Sequence, residues 1–164
     1  MIIFGIDPGL NKTGIGILEN KDNKLNCIDY SVIKNKQGIE PVDKIKNLVN
    51  KIEDFVLKYK PEYAALEDSF YSVNVKTAIS LGVARGAIIA TLLSKGVNVH
   101  QFTALQIKKA VVGYGKADKN QVKKMVEMQL GITLDGVLND ASDALACAIC
   151  LGVFLNGKLY DKLY

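Results

Sequence analysis

Four acidic residues stand where apolar segments of this chain stop or start, and that placement restricts how the segments can meet. Asp7 follows the run Ile2-Ile3-Phe4-Gly5-Ile6, and Glu67 follows Tyr63-Ala64-Ala65-Leu66. Asp140 and Asp143 open the most apolar helical segment. An acidic side chain beside a buried run costs free energy unless its charge is neutralised. For several converging carboxylates the usual partner is a hard divalent cation such as Mg2+. A fold that brings strand ends and a helix start to one sheet edge would gather all four. The chemistry expected of such a cluster is metal-assisted reaction at a phosphate.

The order of elements supports that geometry. Ile2 to Asp7 reads as a buried strand, and Pro8 to Lys12 as a turn. Thr13 to Leu18 is a second strand, Asn20 to Asn23 a polar turn, and Lys24 to Ile33 a third strand. These three predict an antiparallel meander. From Asp43 to Tyr59, the positions Ile45, Leu48, Val49, Ile52, Phe55, Val56 and Tyr59 form one helical stripe, ended by Lys60-Pro61. A strand over Tyr63 to Glu67 precedes a loop over Ser69 to Val75 and a long helix from Lys76 to Lys95, capped by Gly96. Val97 to Phe102 is the fifth strand. Thr103 with Gln106 and Asp118 with Gln121 are capping boxes for two further helices, the second reaching Leu130. Asn139 is the expected N-cap of the last helix. Three strands followed by helix–strand alternation predict an α/β fold: a five-stranded mixed sheet with helices on its faces.

Composition narrows the function class. A chain of 164 residues suffices for one domain, read here as 1–164, with a real core. The net charge of +4 permits a polyanionic partner without demanding one. Of 21 basic residues only Arg85 is an arginine. Cys27, Cys147 and Cys150 are an odd set, which argues against a disulfide scaffold and for a reducing compartment. Cys147 and Cys150 lack the second ligand pair a zinc site needs, so they read as small apolar residues of a buried helix. The longest apolar stretch, Ala144 to Leu155, falls short of the roughly 20 residues of a membrane span. A soluble cytoplasmic protein without a membrane partner is expected.

Each acid taken singly has an ordinary explanation. Asp7 before Pro8 fits an Asx turn, Asp140 and Asp143 fit a helix N-terminus, and Glu67 fits a lysine partner. Asp140 and Asp143 are three residues apart, so both can point at one spot. The four together favour a two-ion centre for phosphoryl chemistry, in which the ions lie about 4 Å apart.

The ordered motifs are specific. Gly5-Ile6-Asp7-Pro8-Gly9, Thr13-Gly14-Ile15-Gly16, Leu66-Glu67-Asp68-Ser69-Phe70, Leu81-Gly82-Val83-Ala84-Arg85-Gly86, Val111-Val112-Gly113-Tyr114-Gly115 and Asp140-Ala141-Ser142-Asp143-Ala144-Leu145 resemble, in sequence order, the motifs of the RuvC family of bacterial Holliday-junction resolvases. The resemblance implies a ribonuclease-H-like fold and a homodimer. It implies a crossover junction endodeoxyribonuclease acting in recombination and repair, one that nicks two opposed strands of a four-way DNA junction and leaves 5′-phosphate and 3′-hydroxyl ends. It places two Mg2+ ions, with Mn2+ able to substitute, on Asp7, Glu67, Asp140 and Asp143. Lys119 would be a catalytic cation near the scissile phosphate. Phe70 would stack on an unpaired base, and Tyr71, Asn74, Lys76, Lys108, Lys116 and Lys119 would contact DNA. The dimer interface would lie on the helix holding Thr77, Ala78, Leu81, Ala84, Arg85 and Ile88. A branch-migration motor of the RuvA and RuvB type is the implied further partner. One departure stands out: Val73 precedes Asn74 where many members carry a lysine.

Three other readings remain. An actin-like or sugar-kinase-like ATPase opens with a similar strand but needs a second phosphate-binding domain. A non-enzymatic junction binder would not need all four acids. A pre-ribosomal RNA nuclease of the YqgF-like group is disfavoured by the Asp140-x-x-Asp143 pair and the Phe70 loop.

Overall fold

The computed structural model describes residues 1–68, 74–134, 136 and 139–157. Its first three strands are β1 (Ile2–Asp7), β2 (Lys12–Lys21) and β3 (Lys24–Lys34). β1 pairs antiparallel with β2, and β2 antiparallel with β3. The β2–β3 turn is tight because Asp22 and Asn23 both adopt the left-handed conformation, with φ of 52° and 60°. β2 extends past the expected Leu18, through Asn20. That polar residue is tolerated in the strand because its side-chain amide donates to Asn156 Oδ1 at 2.9 Å.

Two further strands complete the sheet: β4 (Tyr63–Glu67) and β5 (Asn98–Phe102) run parallel to β1, giving the order β3-β2-β1-β4-β5. The mixed sheet with a three-stranded antiparallel start is therefore as the sequence predicts. Helices α1 (Pro41–Tyr59) and α2 (Val75–Ser94) cover one face. Helices α3 (Ala104–Val112), α4 (Lys119–Leu130) and α5 (Asn139–Leu155) cover the other. Strand alternation divides the core accordingly. Ile3 and Ala65 pack towards α5, whereas Phe4, Ile6, Ala64 and Leu66 pack towards α1 and α2. On α1 the buried residues are Leu48, Ile52 and Val56, the centre of the expected stripe. Each such fully buried aliphatic side chain contributes roughly 1.5–3 kcal/mol. Both expected capping boxes form, at Thr103/Gln106 and at Asp118/Gln121. Asn139 is the first helical residue of α5 rather than its cap.

α5 lies against the sheet with almost nothing between the two backbones. A methyl group on Gly5 would overlap the carbonyl oxygen of Ala144, and one on Gly14 would overlap that of Asp140. The facing surface of α5 is correspondingly small, with Ala141, Ala144 and Ala148 fully buried.

α2 is a longer apolar helix than the 144–155 stretch weighed against membrane length in the sequence. With 20 residues and a mean hydropathy of 1.6, it is long and apolar enough to cross a membrane by length and composition alone. Ala84, Ile88, Thr91 and Leu92 are nevertheless buried in the α1–α2 layer. Ala84 and Ile88, expected on a helix serving as a dimer interface, thus face the protein's own core. The outward apolar residues of α2 are instead Val75, Ile79, Val83 and Leu93.

Candidate active site

β1 and β4 are adjacent and parallel, with Ile6 opposite Leu66, so Asp7 and Glu67 sit side by side at the same sheet edge. Their strand parity matches Ile3, Gly5 and Ala65, the residues that face α5. The first turn of α5 delivers Asp140 and Asp143 to the same edge, because Gly14 lets the Asp140 backbone rest on β2. The four acids expected to share a site therefore converge from three elements.

Asp7 carries the electrostatic signature of that convergence. Burial and, in decreasing order, the charges of Asp143, Glu67 and Asp140 push its carboxyl up to about 7 from 3.8, with Lys119 opposing. Burial also raises Asp143, again against the pull of Lys119. Lys119, the first residue of α4, places its ammonium 3.5 Å from Asp143 Oδ2. Beneath the cluster, burial and the charges of Asp7 and Glu67 raise the Cys147 thiol well above its usual range. Cys27, Cys147 and Cys150 are all free thiols.

A cleft of about 210 Å3 opens beside the acids, lined by Glu67, Asp143, Lys108, Lys119 and the apolar Ile107 and Val122. It joins two carboxylates to two ammonium groups, the pairing needed to hold a phosphate next to cations. Among the described residues, no three acidic, His or Cys side chains close into a finished ion cage. The donor set nevertheless fits a hard divalent cation: all oxygen, with Asp7 driven towards protonation by burial and then by its three acidic neighbours.

The remaining predicted contacts are dispersed. Lys116 is exposed in the segment between α3 and α4, and Lys76 is exposed in the first turn of α2. Asn74 caps α2, its side chain accepting a hydrogen bond from Thr77 N at 3.2 Å. Phe70, Tyr71 and Val73 lie outside the described residues. One polar group at the site edge was read in the sequence only as part of a motif and of the expected dimer-interface helix. Arg85 on α2 donates to both Asp68, the residue after Glu67, and Gln101 on β5. Its further signal in the sequence was its status as the lone arginine among 21 basic residues.

Residues 3–151 match the family described as crossover junction endodeoxyribonuclease RuvC. The chain belongs to the RuvC family. A crossover junction endodeoxyribonuclease RuvC of Caldanaerobacter subterraneus subsp. tengcongensis is 41% identical over 150 residues, spanning 92% of this chain and 91% of the relative. Another, of Caldicellulosiruptor saccharolyticus, is 37% identical over 163 residues, spanning 99% and 98%. The solved structure of T. thermophilus RuvC in complex with Holliday junction substrate matches at a TM-score of 0.89 and 26% identity, over 96% of this chain and 97% of that one. The sheet order and helix placement are those of the ribonuclease-H-like resolvases. Nucleases of this family are metal-dependent.

Proposed function

We propose that this protein is an Mg2+-dependent, homodimeric endonuclease that resolves four-way DNA junctions by two symmetric nicks. Family membership supports the nuclease activity and the junction substrate. The observation that supports the site assignment is geometric: Asp7 and Glu67 end neighbouring parallel strands where the first turn of α5 rests on Gly14, and burial, then the charges of Asp143, Glu67 and Asp140, raise the Asp7 carboxyl. Asp7, Glu67, Asp140 and Asp143 would hold two Mg2+ ions. Bound ions supply charge neutralisation at the scissile phosphate and activation of water for hydrolysis.

The protein's own cations have separate work. Lys108 and Lys119 line the cleft with Glu67 and Asp143, where they hold the phosphate in line and oppose its developing charge. Cleavage then leaves 5′-phosphate and 3′-hydroxyl ends. Lys76 and Lys116 are contacts to flanking backbone, and Asn74 fixes the start of the helix that carries Lys76. Phe70 and Tyr71 would add the DNA contacts that the family resemblance implies. Residues 1–164 act as one nuclease domain.

The homodimer reading rests on α2. Ile79, Val83, Gly86, Ala90 and Leu93 follow alternating steps of four and three, all exposed. That is the spacing of a helix-pairing seam. Among the described residues, nothing beyond the helix's own neighbouring backbone lies within 4 Å of a Cβ built on Gly82 or Gly86, so a second helix can approach closely. Two copies about a two-fold axis would give two sites related as the two cut strands are. Cytoplasmic location and a motor partner of the RuvA and RuvB type complete the reading.

A synthetic mobile four-way junction with Mg2+, set beside duplex DNA and single-stranded RNA, tests it. Paired nicks confined to the junction are expected. Equal cleavage of duplex or RNA, or ATP turnover without DNA, would overturn it.

A further inference from the structure

Glu67 ends β4 and is the one member of the acid set followed directly by another carboxylate, Asp68. An unpaired charge at Asp68 would add to the repulsion at the cluster and compete for a cation. Three interactions prevent this. The Asp68 backbone N–H donates to Phe102 O at 2.7 Å, prolonging the β4–β5 pairing by one step. The Asp68 carboxylate accepts from the guanidinium of Arg85. The same guanidinium donates to the side-chain oxygen of Gln101 on β5. Arg85 is 12% exposed and Asp68 26%, so the ion pair is shielded on most sides.

An arginine suits this role. A guanidinium offers five donors in a rigid plane, whereas an ammonium on a flexible stem holds its acceptors with less preorganisation. In a chain whose other basic residues are all lysines, the single arginine stands where two acceptors from two strands must be held together. Its helix is itself anchored: the neighbouring Ala84 and, one turn on, Ile88 are fully buried.

We propose that Arg85 is a positioning residue for the metal-holding acid Glu67: it braces α2 against the ends of β4 and β5 through Asp68 and Gln101. The brace turns the Asp68 charge away from the cluster and fixes the strand end from which Glu67 projects. The proposal rests on the assignment of Glu67 to the ion site. Partners that orient a ligand in this indirect way commonly change metal affinity 10- to 100-fold when removed.

The test titrates Mg2+ into the full-length protein without DNA, by calorimetry, for wild type, Arg85→Ala, Arg85→Lys and Asp68→Ala. Arg85→Ala should weaken Mg2+ binding by about tenfold or more. The Mg2+ needed for half-maximal junction cleavage should rise in parallel. Arg85→Lys should fall between, since lysine keeps the charge but not the second bond. In Arg85→Ala the Asp68 amide should exchange hydrogen faster, reporting a loosened strand end. Junction affinity without metal and the dimer mass should match wild type. If Arg85→Ala fails to fold, Arg85→Lys and Asp68→Ala carry the same comparison. Unchanged Mg2+ affinity in the folded variants overturns the brace. So does a loss of junction affinity at constant Mg2+ affinity, which would make Arg85 a phosphate contact. Wild type that takes up no Mg2+ would remove the site assignment, and the brace with it. Wild type that binds Mg2+ no better than the variants removes the brace alone.

Discussion

The ammonium of Lys119 stands 3.5 Å from Asp143 Oδ2 and makes both Asp143 and Asp7 easier to ionise. Metal ligands must shed their protons to bind, so under the proposed ion site this cation would favour ion uptake near neutrality. Lys119→Ala should slow cleavage at limiting Mg2+ more at pH 7 than at pH 9, moving the rising limb of the pH–rate profile upward. If Lys119 also neutralises a phosphate, the log–log salt slope of junction binding should fall by about 0.9. Cleavage rates across pH and binding across salt measure the two effects independently, and a profile that keeps its position would remove the first role.

Asp7 gives the metal-free protein a specific pH dependence. Its carboxyl is pushed up to about 7 in the fold against 3.8 in the open chain. Between those values the folded state binds the proton and the unfolded state does not, so stability falls as pH rises through that window. The raised Asp143 acts in the same direction. Melting temperature in EDTA should therefore drop between pH 4 and pH 7 and level off above. Asp7→Asn should flatten much of the slope, abolish cleavage and leave junction binding intact. Mg2+ at 100 times its dissociation constant should restore about 2.7 kcal/mol at pH 8 and far less at pH 5. A thermal melt series in circular dichroism reads all of this.

The outward seam of α2 predicts the assembly state. Val83 is 42% exposed and Ile79 62%, so a charge at either costs the isolated chain little and a helix pair a great deal. Val83→Asp should sediment as a folded monomer. On a junction it should nick one strand and then release, giving unpaired nicks. A Val83→Asp dimer of unchanged mass would place the interface elsewhere.

Gly5 is a packing constraint that a single methyl tests. Gly5→Ala drives a side chain into Ala144 O and Ala148 N, and both are backbone atoms that cannot rotate away. Overpacking of this kind costs about 1–3 kcal/mol and sometimes more. Denaturant melts should show at least that loss. Activity should fall further than stability does, because the displaced helix carries Asp140 and Asp143.

Much of this was legible in the chain because the signals are local. Asp7 and Glu67 follow apolar runs, and the capping boxes at Thr103 and Asp118 need only their own next turn. Helix faces were less readable where the whole helix is apolar. Ala84 and Ile88 turn inward while Val83 turns outward, and composition alone cannot choose between them. Links across the sequence were invisible: Arg85 meets Asp68 and Gln101 only because α2 crosses behind β4 and β5. Asn20 continues a strand instead of turning because its partner, Asn156, arrives from the other end of the molecule.

The near-contact between α5 and the sheet has a consequence for how such a chain can vary. Main-chain thickness, rather than any side-chain size, sets the gap between Asp7 and the Asp140–Asp143 turn. Mutational drift among the larger apolar residues elsewhere can therefore proceed without detuning the spacing of the acids, provided Gly5 and Gly14 stay as they are.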